Sequence, residues 1–567
     1  MLSLLLVLFG VASGSRADSN LSAYADFNSS TGGRLVFGTP FARACFENAG
    51  PGVREMYDAA SCSGVQSDYT DEATRIDSLG AYINTQWETC QKTGEQCLLD
   101  ATDPTNALAY SPPAVCSQGS VPPVGLEIAS ANDVVLAFNF ARNRSLKVVV
   151  KNTGHDYKGR SSGPDTLALW TRGLQGISIN EAFVPQGCPT STTPVIGVTM
   201  GAGVTADVAV AFAEANNITI PTGADPTVGL VGGYTQGGGH SKTSNTMGLA
   251  VDRVIEFNVV TSSGEHLVAN ACQNADLFFA LRGGGGGTFG VVLNLTTRAL
   301  PATAVSAAVV EVTPTPSNVA ALLDFMVNNS LQLAQDGWGG AFAPTQGLLS
   351  YANPLLNETA AKESVASLQA LATSLGGIFI YEYLPTYGAY FSTFGIDPVP
   401  TAVPVAQSSR LVPSSLFETE DGRAKLLSAL TEGFTALPSS AIFANTPFLA
   451  KDPGGTSVHS AWRDSLWHVV LSAGWSFNSS LAQREAVYQS LEDGIAPLRA
   501  ITPDAAYTNE GDVYEPNWEE TFWGSNYAEL LSIKNKYDPD HLLDCWQCVG
   551  WLGQSDSRYK CYLPPPS

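Results

Sequence analysis

Leu146-Lys-Val-Val-Val-Lys-Asn-Thr-Gly-His-Asp-Tyr-Lys-Gly-Arg160 is the stretch whose reading decides the fold. Its first residues are a β-branched run of the kind that makes a buried strand. The run ends in a polar loop holding Gly154 and Gly159. Glycine reaches backbone conformations closed to other residues, so such a loop can approach a ligand closely. His155 sits between Gly154 and Asp156. A loop histidine on its own is ordinarily a surface group; its meaning depends on what else the chain brings to it.

Two further glycine clusters supply that context. Thr222-Gly-Ala-Asp-Pro-Thr-Val-Gly-Leu-Val-Gly-Gly-Tyr-Thr-Gln-Gly-Gly-Gly-His-Ser241 carries glycines at 223, 229, 232, 233, 237, 238 and 239, and Arg282 precedes five more at 283–287. Backbone N–H groups in such loops form anion-binding nests that suit a pyrophosphate. A Rossmann fingerprint is one reading, and Asp252 lies about 20 residues beyond Gly232, where that motif places its ribose-binding acid. No strand leads straight into these glycines, however, and no apolar helical stripe follows in Ser241–Gly248. There is no Gly-Lys-Ser/Thr ending for a P-loop. The loop is therefore read as a phosphate cradle of another architecture, with Asp252 kept as a candidate cofactor contact. Gly159-Arg-Ser-Ser-Gly163 matches a hydrolase pattern, but a nucleophile elbow needs a strand directly before and a helix directly after. Ser161 has neither, and the match is read as chance.

The 567 residues suggest two packed units with extensions. Net charge is −23, a field that repels nucleic acid and anionic membranes, so neither is an expected partner. Residues 1–17 contain the apolar run Leu2–Ala12, too short for a membrane span and suited to a signal peptide. Ten cysteines, an even count, read as disulfides of an exported protein, with pairing left open. Cys545-Trp-Gln-Cys548 has no second Cys pair or nearby His pattern, so no metal is expected. Asn-x-Ser/Thr sequons at Asn20, Asn28, Asn143, Asn217, Asn294, Asn328, Asn357 and Asn478 point to a secreted glycoprotein.

Along the chain, residues 18–116 read as a Cys-rich extension with helical pieces from Glu72 to Glu88. Residues 117–300 alternate strands and helices. Residues 301–500 follow a different α+β order, including a helix from Val319 capped by Ser317 or Asn318. Residues 501–550 end in a helix from Ala528 to Lys536, and 551–567 read as a tail.

Four motifs in order, Lys151-Asn-Thr-Gly-His-Asp-Tyr-Lys-Gly-Arg-Ser161, Pro221 to His240, Asp276-Leu-Phe-Phe-Ala-Leu-Arg-Gly-Gly-Gly-Gly-Gly-Thr-Phe-Gly-Val-Val292 and Tyr507 to Pro539, resemble the berberine-bridge-enzyme branch of the vanillyl-alcohol-oxidase flavoproteins. The likeness is strongest to secreted fungal members of the isoamyl-alcohol-oxidase type and covers roughly residues 110–550. It implies an α+β chain: a two-part FAD-binding domain with an inserted substrate domain of antiparallel sheet and helices. It also implies that FAD is bonded to His155. Asn152, Thr153, Gly154, Asp156, Gly159, Arg160 and Ser161 would wrap the diphosphate. Thr222, Gly223, Asp225, Thr227, Val228, Gly229, Gly232, Gly233, Gly237, Gly238 and Gly239 would stand beside it. Val291 and Val292 match the adenine side, and Asn526 a position near the flavin ring. Where many members carry a Cys that forms a second flavin bond, this chain has Asp225, so a single histidyl bond is implied. Val228 matches a position tied to oxygen access. Tyr507 and His468 are the candidate catalytic residues, with the carboxylates of Glu510 and Asp512 as further options. The expected activity is a secreted oxidase: hydride passes from an alcohol or secondary-metabolite substrate to FAD, and O2 leaves as H2O2. The rivals are an oligosaccharide oxidase, with Trp338, Trp462 and Trp467 as sugar platforms, and a flavin-binding protein without turnover.

Overall fold

The computed structural model describes residues 24–566 apart from 52, 54, 55 and 398. The leader-like run 1–17 and the sequon at Asn20 lie outside the described residues. Among the described residues no helix is long and apolar enough to cross a membrane.

The β-branched run forms the strand Lys147–Lys151, the edge of a four-stranded sheet. It runs parallel to Thr166–Trp170, which is parallel to Val124–Glu127. The helix Ala131–Arg144 carries the chain from Val124–Glu127 across to Lys147–Lys151, the two parallel strands that flank Thr166–Trp170. Ser130 caps it with a reciprocal Asp133 box, and Val134, Ala137, Phe138 and Ala141 recur at helical spacing to bury against the sheet. A second, five-stranded antiparallel sheet has the order His266–Asn270, Val254–Val260, Val291–Arg298, Val195–Gly201, Ile177–Phe183. Its core also takes Leu530, Ile533 and Tyr537 from the C-terminal helix Tyr527–Tyr537. The C-terminal segment thus returns to the first domain. The buried Lys534 fixes the return, donating to the Thr288 carbonyl at 2.8 Å and to Asp538 at 2.6 Å.

The inserted domain is a seven-stranded antiparallel sheet running Ile378–Leu384, Val305–Glu311, Leu348–Asn353, Gly339–Ala343, Ala441–Ala444, Ser465–Gly474, Val405–Pro413. The helices Pro316–Gln335, Glu420–Ala436 and Leu481–Arg499 share its core. Alternation along Ser465–Gly474 sends Trp467, Val469 and Leu471 into that core and leaves His468 on the opposite face, facing Phe443 and Leu411 in register.

Three boundaries differ from the sequence reading. The extension is part of the first domain, because Leu35–Phe37 pairs antiparallel with Val124–Glu127. Only Glu72–Ile76 and a 3-10 turn at Thr85–Trp87 are helical within Glu72–Glu88. The final segment is no loose tail: Tyr559, Tyr562 and Leu563 are buried, and Cys561 is bonded to Cys90. The other pairs are Cys45–Cys62, Cys97–Cys116, Cys188–Cys272 and Cys545–Cys548. The cap of the long helix is Thr315, which accepts from the Asn318 N–H; Pro316 takes the first helical position and places Ser317 and Asn318 inside. Asn143, Asn217, Asn328, Asn357 and Asn478 are exposed, Asn28 is half-buried, and Asn294 sits half-buried in a central strand with its Oδ1 bonded to Asn258.

Arg410 and Glu515 form a bidentate pair, at 2.8 and 3.0 Å, that joins the inserted sheet to the C-terminal return with both side chains buried. Arg499 still pairs with Glu515 at 3.1 Å when Arg410 is removed, so Arg410→Met loses two charge-assisted bonds without stranding the acid and should cost about 1.5–3 kcal/mol. The urea midpoint measures it; an unshifted midpoint would show that the pair does not hold the two parts together.

Candidate functional site

A cleft of about 290 Å³ opens where the strand Lys147–Lys151, the two glycine loops and the inserted sheet meet. Its wall takes Val148–Val150 and Asn152–Tyr157 from one side, Gly223–Asp225, Gly229, Gly232 and Gly233 from another, and Gly286, Gly287 and Val292 from a third. His240, Phe443, Gln407, Tyr507, Asn509 and Glu510 complete it. Backbone lies close to backbone here: a Cβ at Gly286 would stand 2.8 Å from the Gly232 carbonyl oxygen. A Cβ at Gly233 would meet nothing within 4 Å. Such a glycine-walled trough suits a dinucleotide, and the buried Oδ1 of Asn152 and Oε1 of Gln236, both without partners, suit its polar groups.

The His155 loop is held from beneath by segments distant in sequence. At its start the buried Lys151 ammonium donates to the carbonyls of Ser78, Leu79 and Ala81, and burial brings its pKa down to about 7. Further on, Trp87 Nε1 donates to the Tyr157 carbonyl at 3.2 Å, Tyr562 Oη to the Lys158 carbonyl at 2.7 Å and Tyr82 Oη to the Ser161 carbonyl at 2.9 Å. Gly159 has φ +76°, and a Cβ there would lie 2.3 Å from the Trp87 ring. The Cys90–Cys561 bridge ties together the two segments that carry Trp87 and Tyr562.

His155 Nε2 lies 2.7 Å from Thr227 Oγ1 and 3.6 Å from Asp225 Oδ1. Thr227 also bonds Asp225 Oδ1 at 2.8 Å and reaches Glu72 Oε2 at 3.3 Å. Burial lowers His155 to about 4, against the pull of Glu72, so the ring is neutral near neutral pH. Burial raises both Glu72 and Asp225.

At the other end, Tyr507 Oη accepts from the Gly239 N–H at 3.1 Å and from Asn509 Nδ2 at 2.8 Å. Burial and the charge of Glu510 keep its phenol protonated. Arg160 links the two ends, pairing with Asp156 and donating to Asn509 Oδ1 at 3.0 Å. Glu510 Oε1 lies 3.1 Å from His240 Nε2, and the two histidines His240 and His468 pull its pKa down against burial.

The cleft wall includes Asn152, Thr153, Gly154, His155, Asp156, Arg160, Ser161, Gly223, Asp225, Val228, Gly229, Gly232, Gly233, Val292 and Tyr507 of the expected residues. Thr227 touches His155 itself. Gly159 lies beneath its loop, and Gly237, Gly238 and Gly239 back Tyr507 and Asn509. The others fall elsewhere. Asp252 is bound by Arg463 at 2.7 and 2.8 Å, caps Leu249 and does not line the cleft. Val291 points into the sheet core, Thr222 N–H donates to Tyr387 Oη, and Asn526 Nδ2 is spent on the Val458 carbonyl at 2.9 Å. His468 is fully buried behind His240 and does not line the cleft. Asp512 caps Tyr514 and is pushed up to about 7 by burial, away from the wall. Leu230–Tyr234 and Thr235–Gly237 wind into helical turns where an irregular loop was expected, because Leu230 and Val231 bury on one side while glycines face the cleft. Trp338, Trp462 and Trp467 are no more than 2% exposed, so none is a sugar platform. Sequence reading missed His240 and Glu72. His240 closes the glycine motif, which was its only signal; Glu72 had none, lying in an extension with no motif.

Residues 122–270 match the FAD binding domain family and 506–549 match the family described as berberine and berberine like. The chain is 36% identical to the FAD-linked oxidoreductase ffsJ of Aspergillus flavipes, over 95% of this chain and 93% of that protein. It is 34% identical to the FAD-linked oxidoreductase cheF of Chaetomium globosum, over 99% and 91%. Among solved structures, the VAO-type flavoprotein MtVAO615 of Myceliophthora thermophila C1 superposes with a TM-score of 0.81 at 28% identity, covering 96% of this chain and 97% of that one.

Gly159→Ala forces a side chain into positive φ and against Trp87, and should cost about 2–5 kcal/mol. Gly233→Ala meets no neighbour and should leave the thermal midpoint unchanged. Equal midpoints for the two variants would show that the packing under the loop is dispensable.

Proposed function

The chain belongs to the FAD-linked oxidoreductases with a berberine-like C-terminal segment, and from that premise we propose that it is a secreted oxidase of small alcohols or secondary-metabolite intermediates, with FAD bonded to His155 alone. The observation that carries the reading is the setting of His155: a neutral imidazole at the cleft wall, oriented through Thr227. A neutral ring nitrogen has the lone pair that alkylation by the flavin methyl requires. Among the described residues no cysteine is free, and Asp225 stands where a second, thioether bond would need a thiol. When bound, FAD supplies hydride acceptance and passes the electrons to O2, giving H2O2.

The chain's own groups do the rest. Asp225 and Thr227 hold the His155 ring, and Asn152 and Thr153 tie its loop to Ala202 and Gly229. The ionised Glu510, bonded to His240, is the base at the wall for the substrate's hydroxyl proton. Tyr507, held protonated, donates to or orients the substrate oxygen from beside it. Phe443 supplies an apolar surface for a small substrate. The five disulfides and the exposed sequons support export, and the net charge of −23 argues against a nucleic-acid partner.

Purified protein should be yellow and keep its flavin through acid precipitation, whereas His155→Ala should release all of it into the supernatant. Flavin that stays with the variant's pellet would place the bond elsewhere. Because burial holds His155 near 4, covalent uptake of FAD by the flavin-free protein should change less than about twofold from pH 8 to 5.5. A ring titrating at its ordinary value would lose about tenfold over that range. Among alcohols offered without oxygen, those that are substrates should bleach the flavin; no bleaching across a broad panel would favour binding without turnover.

A further inference from the structure

His240, Glu510 and His468 come from three distant parts of the chain and meet at the substrate end of the cleft. We propose that they form a binding site for one divalent metal ion of the zinc class, open to the cleft on its remaining side. One donor atom of each residue can be chosen so that all lie within 4.8 Å of one another. His240 Nε2 is 3.1 Å from Glu510 Oε1, and His468 Nδ1 is 3.5 Å from Glu510 Oε2. Ligands about 2.0–2.1 Å from a tetrahedral zinc stand about 3.4 Å apart, so these two contacts, one on each Glu510 oxygen, lie near that spacing.

Two orphaned groups point the same way. His468 is fully buried, yet neither ring nitrogen has a hydrogen-bond partner. Leaving such a group unpaired costs about 1–3 kcal/mol, which a metal bond at Nδ1 would remove. Asn445 Oδ1 is also buried and unpartnered, while its Nδ2 lies 3.3 Å from His240 Nδ1. Exchanging the amide's oxygen and nitrogen is chemically silent in shape. It lets His240 Nδ1–H donate to Asn445 and frees the Nε2 lone pair toward Glu510. This is the outer hydrogen bond that orients metal-bound histidines.

The donor chemistry selects the ion. Two imidazoles and one carboxylate suit zinc, cobalt, nickel or copper; calcium and magnesium prefer all-oxygen sites. Rings of Trp462, Phe443 and Tyr507 pack around the pair of histidines. His240 and Glu510 reach the cleft, so an ion can enter and a substrate oxygen can take its open position. An ion bound here takes the Glu510 carboxylate out of its role as base, so any part the ion plays in turnover rests on the oxidase reading; its binding does not.

The test uses the flavin-loaded protein, stripped with a chelator and titrated with Zn2+ in a calorimeter. One equivalent should bind. Asn445→Ala should weaken binding by about 10–100-fold, and His468→Gln and Glu510→Gln by more. Each variant's flavin absorbance and acid-stable flavin confirm its fold. No binding, or binding untouched by His468→Gln and Glu510→Gln, overturns the metal site and leaves a carboxylate shared by two imidazoles. A protein that keeps its flavin but binds no Zn2+ leaves the oxidase reading standing, so the two failures are distinguishable.

Discussion

Two aromatic side chains pressed against one glycine set the position of His155. Gly159 leaves no room for a Cβ because the Trp87 ring and the Tyr562 hydroxyl occupy it, and both residues also bond the loop's carbonyls. Trp87 and Tyr562 lie at opposite ends of the chain and are kept together by the Cys90–Cys561 bridge. The loop is therefore a rigid shelf laid on a clamp, and a reactive side chain on it can be aimed. With the shelf fixed, Thr153 accepts from Gly229 of the second glycine loop, Asn152 donates to the Ala202 carbonyl, and the trough closes around a space shaped for a dinucleotide.

Electrostatics divide the cleft into two ends. At His155, burial outweighs the charge of Glu72 and keeps the imidazole neutral, and burial raises both Glu72 and Asp225. At Glu510, two imidazoles outweigh burial and keep the carboxylate ionised. The same physics thus gives a neutral imidazole at one end and an ionised carboxylate at the other. Arg160, with Asp156 on one side and Asn509 on the other, couples the geometry of the two ends through one guanidinium.

Much of the first domain was legible, because strand and helix periodicity speak locally. Lys147–Lys151 falls where the pattern puts it. Glycine clusters marked the trough for a like reason: closeness of backbones demands glycine wherever it occurs. The errors share a cause. Asp252 had motif spacing but was taken by Arg463, and Asn526 was taken by Val458, because a polar side chain bonds whatever the fold brings nearest. The tryptophans read as sugar platforms turned inward, since exposure is a property of packing and not of residue type.

The sequence by itself determined that the chain builds a glycine-walled cleft beside His155, because the loop's strand, its glycines and its histidine are contiguous. It also puts a carboxylate, Asp225, in the second glycine loop. Only the tertiary structure decided what surrounds them. Glu72 lies 155 residues from the Thr227 it bonds, and Glu510 270 residues from His240. Trp87 and Tyr562 come from segments read as an extension and a tail. Contacts at such separations leave no periodic trace along the chain; they exist only once three sheets and a returning helix have packed, which is why the wall of the site, and the cluster of two histidines and a glutamate within it, appear only in the folded molecule.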